Sequence, residues 1–584
     1  MGRLQQVIAE LRRRRVFRAL LGWAVVSFAV LQVVEPVMHG LDLPGWTLKA
    51  AIWALAAGFP IASVLAWIFD LGPGGVSRTP EVLVEPTGVS PPPPRRLGLA
   101  LASLVAVSVL LGAGLAVVAL RTVDGQPPQA PSIAVLPFAD MSPGRDQEYL
   151  SEGVAEEILN SLARIEGLRV VGRTSSWYFK GKNARLEDIG RELRVGAVLE
   201  GSVRREGSRL RVAAKLLAVP DGRSLWAESY DRELGDVFAL QEGVASAVAG
   251  ALRVKLLAGS VAEVPRTAPE AYLKYLLGYQ LWVRGYRDDI RRSVEAFEEA
   301  LAIDPRYAPA WAGLAWSLEI LAGFEPTQLS DLLAMKRRAL EAANRAVELG
   351  PGQARGYYAR GGLRAYYRHE WREAVADLER AISLQGNDSA SYRVHGWILG
   401  ALGRLPDAIA SLRKATDLEP LAARGWMILG WLHTSAGDLG QARKAFLRIR
   451  EIAPDHQIAP YGLAMVHLLE GRAEEALATI RASRAEEEVR LVVEALAEHT
   501  LGHDAASRLA LDRVVAGYSI SMAFEIATVH AWRGERDEAF AWLDRADAQM
   551  DNGIMYLKVW PLLRDLHGDP RWKPFLRKLN LPSD

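Results

Sequence analysis

A 34-residue period rules the second half of this chain. Ala374, Ala408, Ala442 and Ala476 stand at that interval, as do Gly362, Gly396 and Gly430, and Pro420 and Pro454 repeat it. A small residue recurring in helical text lets two helices of a pair approach closely, and the prolines of "DLEP" and "EIAP" end each unit. One such pair cannot bury its apolar face alone, so the period commits the region to stacked units rather than to one round core. The unit ending at Pro305 is looser and uses Phe297 and Ala300; past Pro454 the match fades, yet Ala505 and Ala539 keep the spacing. The reading predicts seven or eight units over 268–550 and closing helices over 551–584, where "DPRWKPFLRKLNL" lies.

This spacing is the signature of tetratricopeptide repeats. In the unit starting at Ala423, Trp426, Leu429 and Gly430 fit the first helix, Ala442 and Phe446 the second, and Pro454 the exit. The first helices of such a solenoid line a concave surface, and the positions facing it are Trp316, Tyr366, Arg393, Trp397, Arg424, Met427 and Trp431. A groove of aromatic rings and arginines suits an extended segment of a partner protein with apolar anchors and an acidic residue. The lysines and asparagines with which some repeat proteins clamp a C-terminal carboxylate are missing at these positions.

The first 121 residues follow other rules. Half of the 584 residues are hydrophobic, and three charge-poor runs are the local cause, at about 17–36, 48–69 and 97–120. The last has 24 residues; at roughly 1.5 Å per residue it reaches about 36 Å, beyond the ~30 Å hydrocarbon core of a bilayer. Arg12, Arg13, Arg14 and Arg15 precede the first run, and Arg95 and Arg96 end the loop before the third. Arginines in short flanking loops read as cytoplasmic. Three crossings therefore predict a membrane anchor with its N-terminus in the cytoplasm and everything after residue 121 across the bilayer. The 70 basic and 69 acidic residues leave a net charge of +1, which gives no electrostatic footprint for nucleic acid.

Between anchor and repeats, residues 131–256 read as a small α+β domain of order βαβαβββα with helices on one sheet face. "SIAVLPF" and "LRVVGRTSSWYF" are predicted strands, and three further strands form a meander with turns at Glu206–Ser208 and at "PDG". The stretches "IAVLPFADMSPGRDQEYLSEGVAEEILNSLARIEGLRVVGRTSSWYFKGK", "IGRELRVGAVLEGSVRREGSRLRV" and "LWAESYDRELGDVFALQEGVA" resemble TolB N-terminal-like (FlgO-like) domains. That resemblance covers about 131–255. It implies a domain placed between a membrane anchor and a tetratricopeptide array, in a group where some chains carry an adenylate cyclase or winged-helix head. The sequence as read begins at its anchor, so a signalling output is not carried over. The loop "ADMSPGRDQEYLSEG" leaves the first strand where open sheets hold ligands, but its four acids would repel an anion, and Ser151 or Asp146 serves equally as a helix cap.

Catalytic signatures are lacking: the "GK" at Gly181 and Lys182 has no upstream glycine, and neither HExxH nor GxSxG occurs. With no cysteine, disulfides, thiol catalysis and Cys-type zinc sites are excluded. His499 and His503 stand at the i, i+4 spacing of a shared helix face, without a third ligand. With the resemblance, the expectation is a non-enzymatic scaffold anchored in a bacterial inner membrane, its C-terminal domains in the periplasm, without cofactor or metal, that docks protein partners. Its alternatives are a sensor coupled through the membrane and a hydrolase with an unfamiliar site.

Overall fold

A computed structural model describes residues 69–72, 75–78, 131–252, 254, 266–324 and 329–583. The runs expected to span a membrane, and Arg12, Arg13, Arg14, Arg15, Arg95 and Arg96 beside them, lie outside the described residues, except that Phe69 opens a strand. Among the described residues no helix is long and apolar enough to cross a membrane. The chain divides into two units, Met1–Gln129 and Ala130–Asp584. In the first, β1 (Phe69–Gly72) and β2 (Gly75–Arg78) pair antiparallel.

The second unit opens with β3 (Ser132–Val135), β4 (Ala139–Asp140), α1 (Glu148–Ala163), β5 (Arg169–Val170), α2 (Arg173–Trp177) and α3 (Leu186–Leu193). The meander follows as β6 (Ala197–Glu206), β7 (Arg209–Ala218) and β8 (Ser224–Glu233), and α4 (Val237–Ala251) closes it. The strand order is β5-β3-β6-β7-β8, parallel on the β5 side and antiparallel from β6 to β8. In β7, Leu210, Val212 and Leu216 are buried while Arg209, Arg211 and Lys215 are exposed, as strand alternation demands.

Two expectations are corrected here. "LRVVGRTSSWYF" is not one strand: pairing stops at Val170 and α2 begins at Arg173. The Gly172 amide donates to the Leu418 carbonyl of the repeats (3.0 Å), and Arg173 reaches back to Glu152 and Glu156 on α1 (both 3.0 Å), so the chain turns off the sheet edge. Nor are helices confined to one face. Helices α1 and α4 cover one side, and on the other Ile189, Leu193 and Phe179 pack with Ala134 and Val198.

The loop after β4 is held by Asp140, whose carboxylate accepts from the amides of Ser142 (2.9 Å) and Gln147 (2.8 Å). Its pKa is lowered, with those donors outweighing burial. Ser151 lies inside α1 rather than capping it, and Gln147 occupies the cap position.

The array consists, among the described residues, of eight helix pairs: α5 (Pro269–Arg284) and α6 (Arg287–Ile303), α7 (Ala308–Phe324) and α8 (Leu329–Leu349), α9 (Ala354–Arg368) and α10 (Trp371–Leu384), and α11 (Ser389–Ala401) and α12 (Leu405–Leu418). Then come α13 (Ala423–Ser435) and α14 (Leu439–Ile452), α15 (Ile458–Leu469) and α16 (Ala473–Arg481), α17 (Glu487–Thr500) and α18 (Asp504–Tyr518), and α19 (Ala523–Trp532) and α20 (Arg536–Gln549). Ala374, Ala408, Ala442 and Ala476 are wholly buried. A Cβ on Gly396 would stand 1.9 Å from Leu412, and one on Gly430 2.7 Å from Phe446, which is why the first helix carries glycine at that point.

Near the C-terminal end the period misleads. Ala505 is exposed, and in the first turn of α18 the buried residue is Ser507, whose hydroxyl is satisfied by the Ala495 carbonyl (2.7 Å). His499 and His503 do not share a helix, because α17 ends at Thr500 and Gly502 takes a φ of +79° before α18. Each histidine meets a carboxylate instead, His499 with Asp504 and His503 with Glu498, both at 2.8 Å.

The α/β segment and the repeats share one core. Tyr272, Tyr275 and Leu276 of α5 pack with Val154 and Ile158 of α1 and with the sheet, and a Cβ on Gly153 would stand 2.7 Å from Leu276. Farther along, Asn387 donates to the carbonyls of Ala163 (3.1 Å) and Leu168 (2.8 Å), and Ser175 accepts from the Leu421 amide (2.9 Å). Leu421 and Ile452 complete the apolar cluster on the α3 side of the sheet.

Candidate functional site

The first helices of successive pairs touch one another as well as their own partners, so their shared face forms the inner surface of the array. A continuous run of aromatic rings covers it. Tyr358 and Trp316 stand 4.9 Å apart, Trp316 and Tyr366 6.4 Å, and Tyr366 and Trp397 5.5 Å. Two rings from the C-terminal segment carry the run onward: Trp397 meets Tyr556 at 6.0 Å, Tyr556 meets Trp560 at 6.0 Å, and Trp560 meets Trp431 at 5.4 Å. Trp431 in turn contacts Phe446 (4.8 Å) and Tyr461 (5.2 Å). Offset and edge-on rings at such separations stabilise by about 0.5–1.5 kcal/mol per pair beyond their buried area.

Tyr556 and Trp560 belong to a return segment built of two short 3-10 turns, Asn552–Tyr556 and Pro561–Leu566, followed by α21 (Trp572–Lys578). Asp551 starts it, accepting from the amides of Gly553 (2.8 Å) and Phe524 (3.0 Å). Its far end is pinned where the Trp371 indole donates to the Leu579 carbonyl (2.7 Å). The segment thus crosses from the last repeat back to α10 and α11.

This crossing sorts the seven groove residues read from the sequence. Trp431 is only 6% exposed beneath Trp560, and Met427 is partly buried against the packed helices. Trp316, Tyr366, Trp397 and Arg393 are half-buried, and Arg424 is exposed. The accessible part of the inner surface therefore runs from Trp316 to Arg424, between the return segment and the α/β segment. Sequence reasoning missed Tyr358, Tyr556 and Trp560. Tyr358 lies eight residues, about two helical turns, from Tyr366, and of the other two Tyr556 ends one 3-10 turn while Trp560 precedes the next, in a segment that carries no period.

Electrostatics set the two arginines apart. Arg393 donates to the Tyr358 hydroxyl (3.4 Å), and the charge of Arg393 is the first cause that lowers the Arg424 pKa, followed by burial. Burial pushes Glu319 up to about 7, with Lys336 as the opposing charge. Burial and neighbouring Asp551 push Glu525 up to about 8. Among the described residues no group of three or more His, Cys, Asp or Glu side chains is placed to hold a metal ion. The surface offers rings, guanidiniums and hydroxyls, which is equipment for binding.

Comparison with known proteins agrees with this architecture. The model of the tetratricopeptide repeat matches residues 393–456 and 435–487. A protein of Rhizobium meliloti (strain 1021) named putative adenylate cyclase 3 is 37% identical over 228 residues, which cover 37% of this chain and 38% of that protein. The chain thus spans well under half the length of this curated relative. Among solved structures, a thermophilic tetratricopeptide protein of Thermus thermophilus is 24% identical over 34% of this chain and 99% of its own, with a TM-score of 0.29. PilW, described as a type IV pilus biogenesis factor, is 19% identical over 45% of this chain and 99% of its own, with a TM-score of 0.29. YrrB, described as having an unusual peptide-binding site, is 20% identical over 33% and 88%, with a TM-score of 0.24. The helical array of this chain carries tetratricopeptide repeats, the architecture of a protein-interaction scaffold.

Proposed function

We propose that the protein is a membrane-anchored scaffold that presents its repeats in the periplasm and receives an extended segment of a partner protein along the inner aromatic surface. The observation that carries this reading is the partly exposed ring run from Tyr358 to Trp397, flanked by Arg393 and Arg424. Rings of this kind supply rigid apolar contact area at low entropic cost. The three apolar runs with their arginine flanks, and the resemblance of residues 131–255 to TolB N-terminal-like domains, support the membrane placement.

A photo-crosslinking phenylalanine derivative in place of Trp397 tests the groove, with one at the exposed Ile520 as control. Partner peptides caught from 397 and not from 520 are expected. Equal capture from both positions refutes the assignment. A reporter enzyme fused behind Asp584 tests the location, since activity confined to the cytoplasm rules out the periplasm. The likeness to a putative adenylate cyclase favours a second reading, in which the α/β segment senses a ligand and signals through the anchor. A ligand-dependent melting shift that persists when the groove is blocked would support it.

A further inference from the structure

Acidic groups near Arg393 and Arg424 are already committed elsewhere. Glu419 accepts from the Thr174 amide (2.8 Å) and, through its other oxygen, from the Ser389 hydroxyl (2.5 Å). Asp388 accepts from the Ser391 amide (3.0 Å) as the cap of α11. Among the described residues, no carboxylate comes within 4.0 Å of either guanidinium. In this unit half-buried arginines other than Arg393 do find acids: Arg360 and Arg364 share Asp377 (2.6 and 2.8 Å), and Arg173 bridges Glu152 and Glu156. The Arg393 charge and then burial lower the Arg424 pKa, so the two guanidiniums repel each other across one concave space, whereas at Arg393 burial is outweighed by Tyr358, Tyr366 and Glu419, which favour its charge.

We propose that Arg393 and Arg424 together receive a carboxylate of the partner segment, with the Trp316, Tyr358 and Tyr366 rings seating apolar side chains beside it. This rests on the groove reading above and adds the chemistry that the occupant must carry. Arginine forks suit a planar carboxylate, to which each donates up to two parallel hydrogen bonds. Arg393 lies in the second turn of α11 and Arg424 in the first turn of α13, two neighbouring first helices held in place by the α/β segment through Asn387, Glu419 and Leu421. The pair is thus fixed before anything binds, which spares an occupant the cost of ordering it. Burial and the Arg424 charge lower the pKa of nearby His456, so that ring adds no competing cation.

The test selects random dodecapeptides with amidated C-termini, and a matching set with free carboxylates, on the full-length protein and on its Arg393→Gln/Arg424→Gln form. Aspartate or glutamate at one position is expected among binders to the unaltered protein only, with each single variant about tenfold weaker. Enrichment restricted to the free-terminus set assigns the site to a terminal carboxylate; enrichment in both sets assigns it to a side chain. Apolar binders with no acid preference leave the groove standing and overturn the carboxylate site. An absence of enrichment on any form overturns both. Inorganic phosphate that shifts the wild-type melt as strongly as the acidic peptides reassigns the pair and overturns the proposal. Without ligand, Arg424→Gln is expected to melt at or above the wild-type temperature, because its repulsion by Arg393 is relieved. A lower melt for Arg424→Gln makes that guanidinium a structural support, which also refutes it.

Discussion

Trp560→Ala removes the ring that joins the C-terminal segment to the array. Trp560 is 5% exposed and meets both Trp431 (5.4 Å) and Tyr556 (6.0 Å). Truncating a buried aromatic costs about 3–5 kcal/mol, part from lost transfer and part from the cavity left behind. The two ring pairs fall within that total rather than adding to it, since their contacts vanish with the side chain. Relaxation of the 3-10 turns around the hole favours the lower end, about 3 kcal/mol. Urea unfolding followed by tryptophan fluorescence and by circular dichroism measures it. Trp560→Phe retains a ring at the site and is expected to recover more than half of the loss. A loss below about 1 kcal/mol for Trp560→Ala, with an unchanged denaturant slope, would show that the return segment is not seated on Trp431, and the division of the groove would fall with it.

Arg355→Gln removes a guanidinium that lies 3.5 Å from Glu156, 3.7 Å from Glu157 and 4.8 Å from the Tyr279 ring centre. Leaving those acids short of a partner is expected to cost about 2–3 kcal/mol in a urea melt, below the full value for breaking a buried pair because the arginine is partly exposed. Glu319 and Glu525, ordinarily near 4.5, are raised to about 7 and about 8 in the fold. A raised acid stabilises the fold fully below its unfolded pKa and loses that contribution as pH climbs through the folded value. Melting temperature should therefore fall from pH 5 toward pH 8, and Glu525→Gln should flatten that slope; an unaltered slope would remove Glu525 from the account. Gly437→Ala is expected to cost about 1–2 kcal/mol, read by the same melt: the residue holds a φ of +77° with open space around it, so backbone strain is the whole effect.

Legibility in this chain follows the reach of the contacts. Each repeat helix packs on the one next to it in sequence, so the same small residues are needed again 34 positions later, and Ala374, Ala408 and Ala442 announced the pairs. Strand alternation in β7 and the turns at Gly207 and Gly222, both with positive φ, were equally local and equally readable. The period failed at Ala505 because Ser507 fills the buried position with a hydroxyl that bonds to its neighbour helix. The expected strand after Leu168 failed because a carbonyl of a distant repeat draws the chain away at Gly172.

The sequence alone determined that stacked helix pairs exist and how they are spaced from Ala374 to Ala476, and it pointed to rings and arginines on their inner face. Only the tertiary structure decided how much of that inner face stays open. The bond from Trp371 to Leu579 closes across 208 residues and the one from Asn387 to Leu168 across 219. Contacts of that range recur once and follow no period, and they depend on the curvature accumulated over several stacked pairs, which no single repeat encodes.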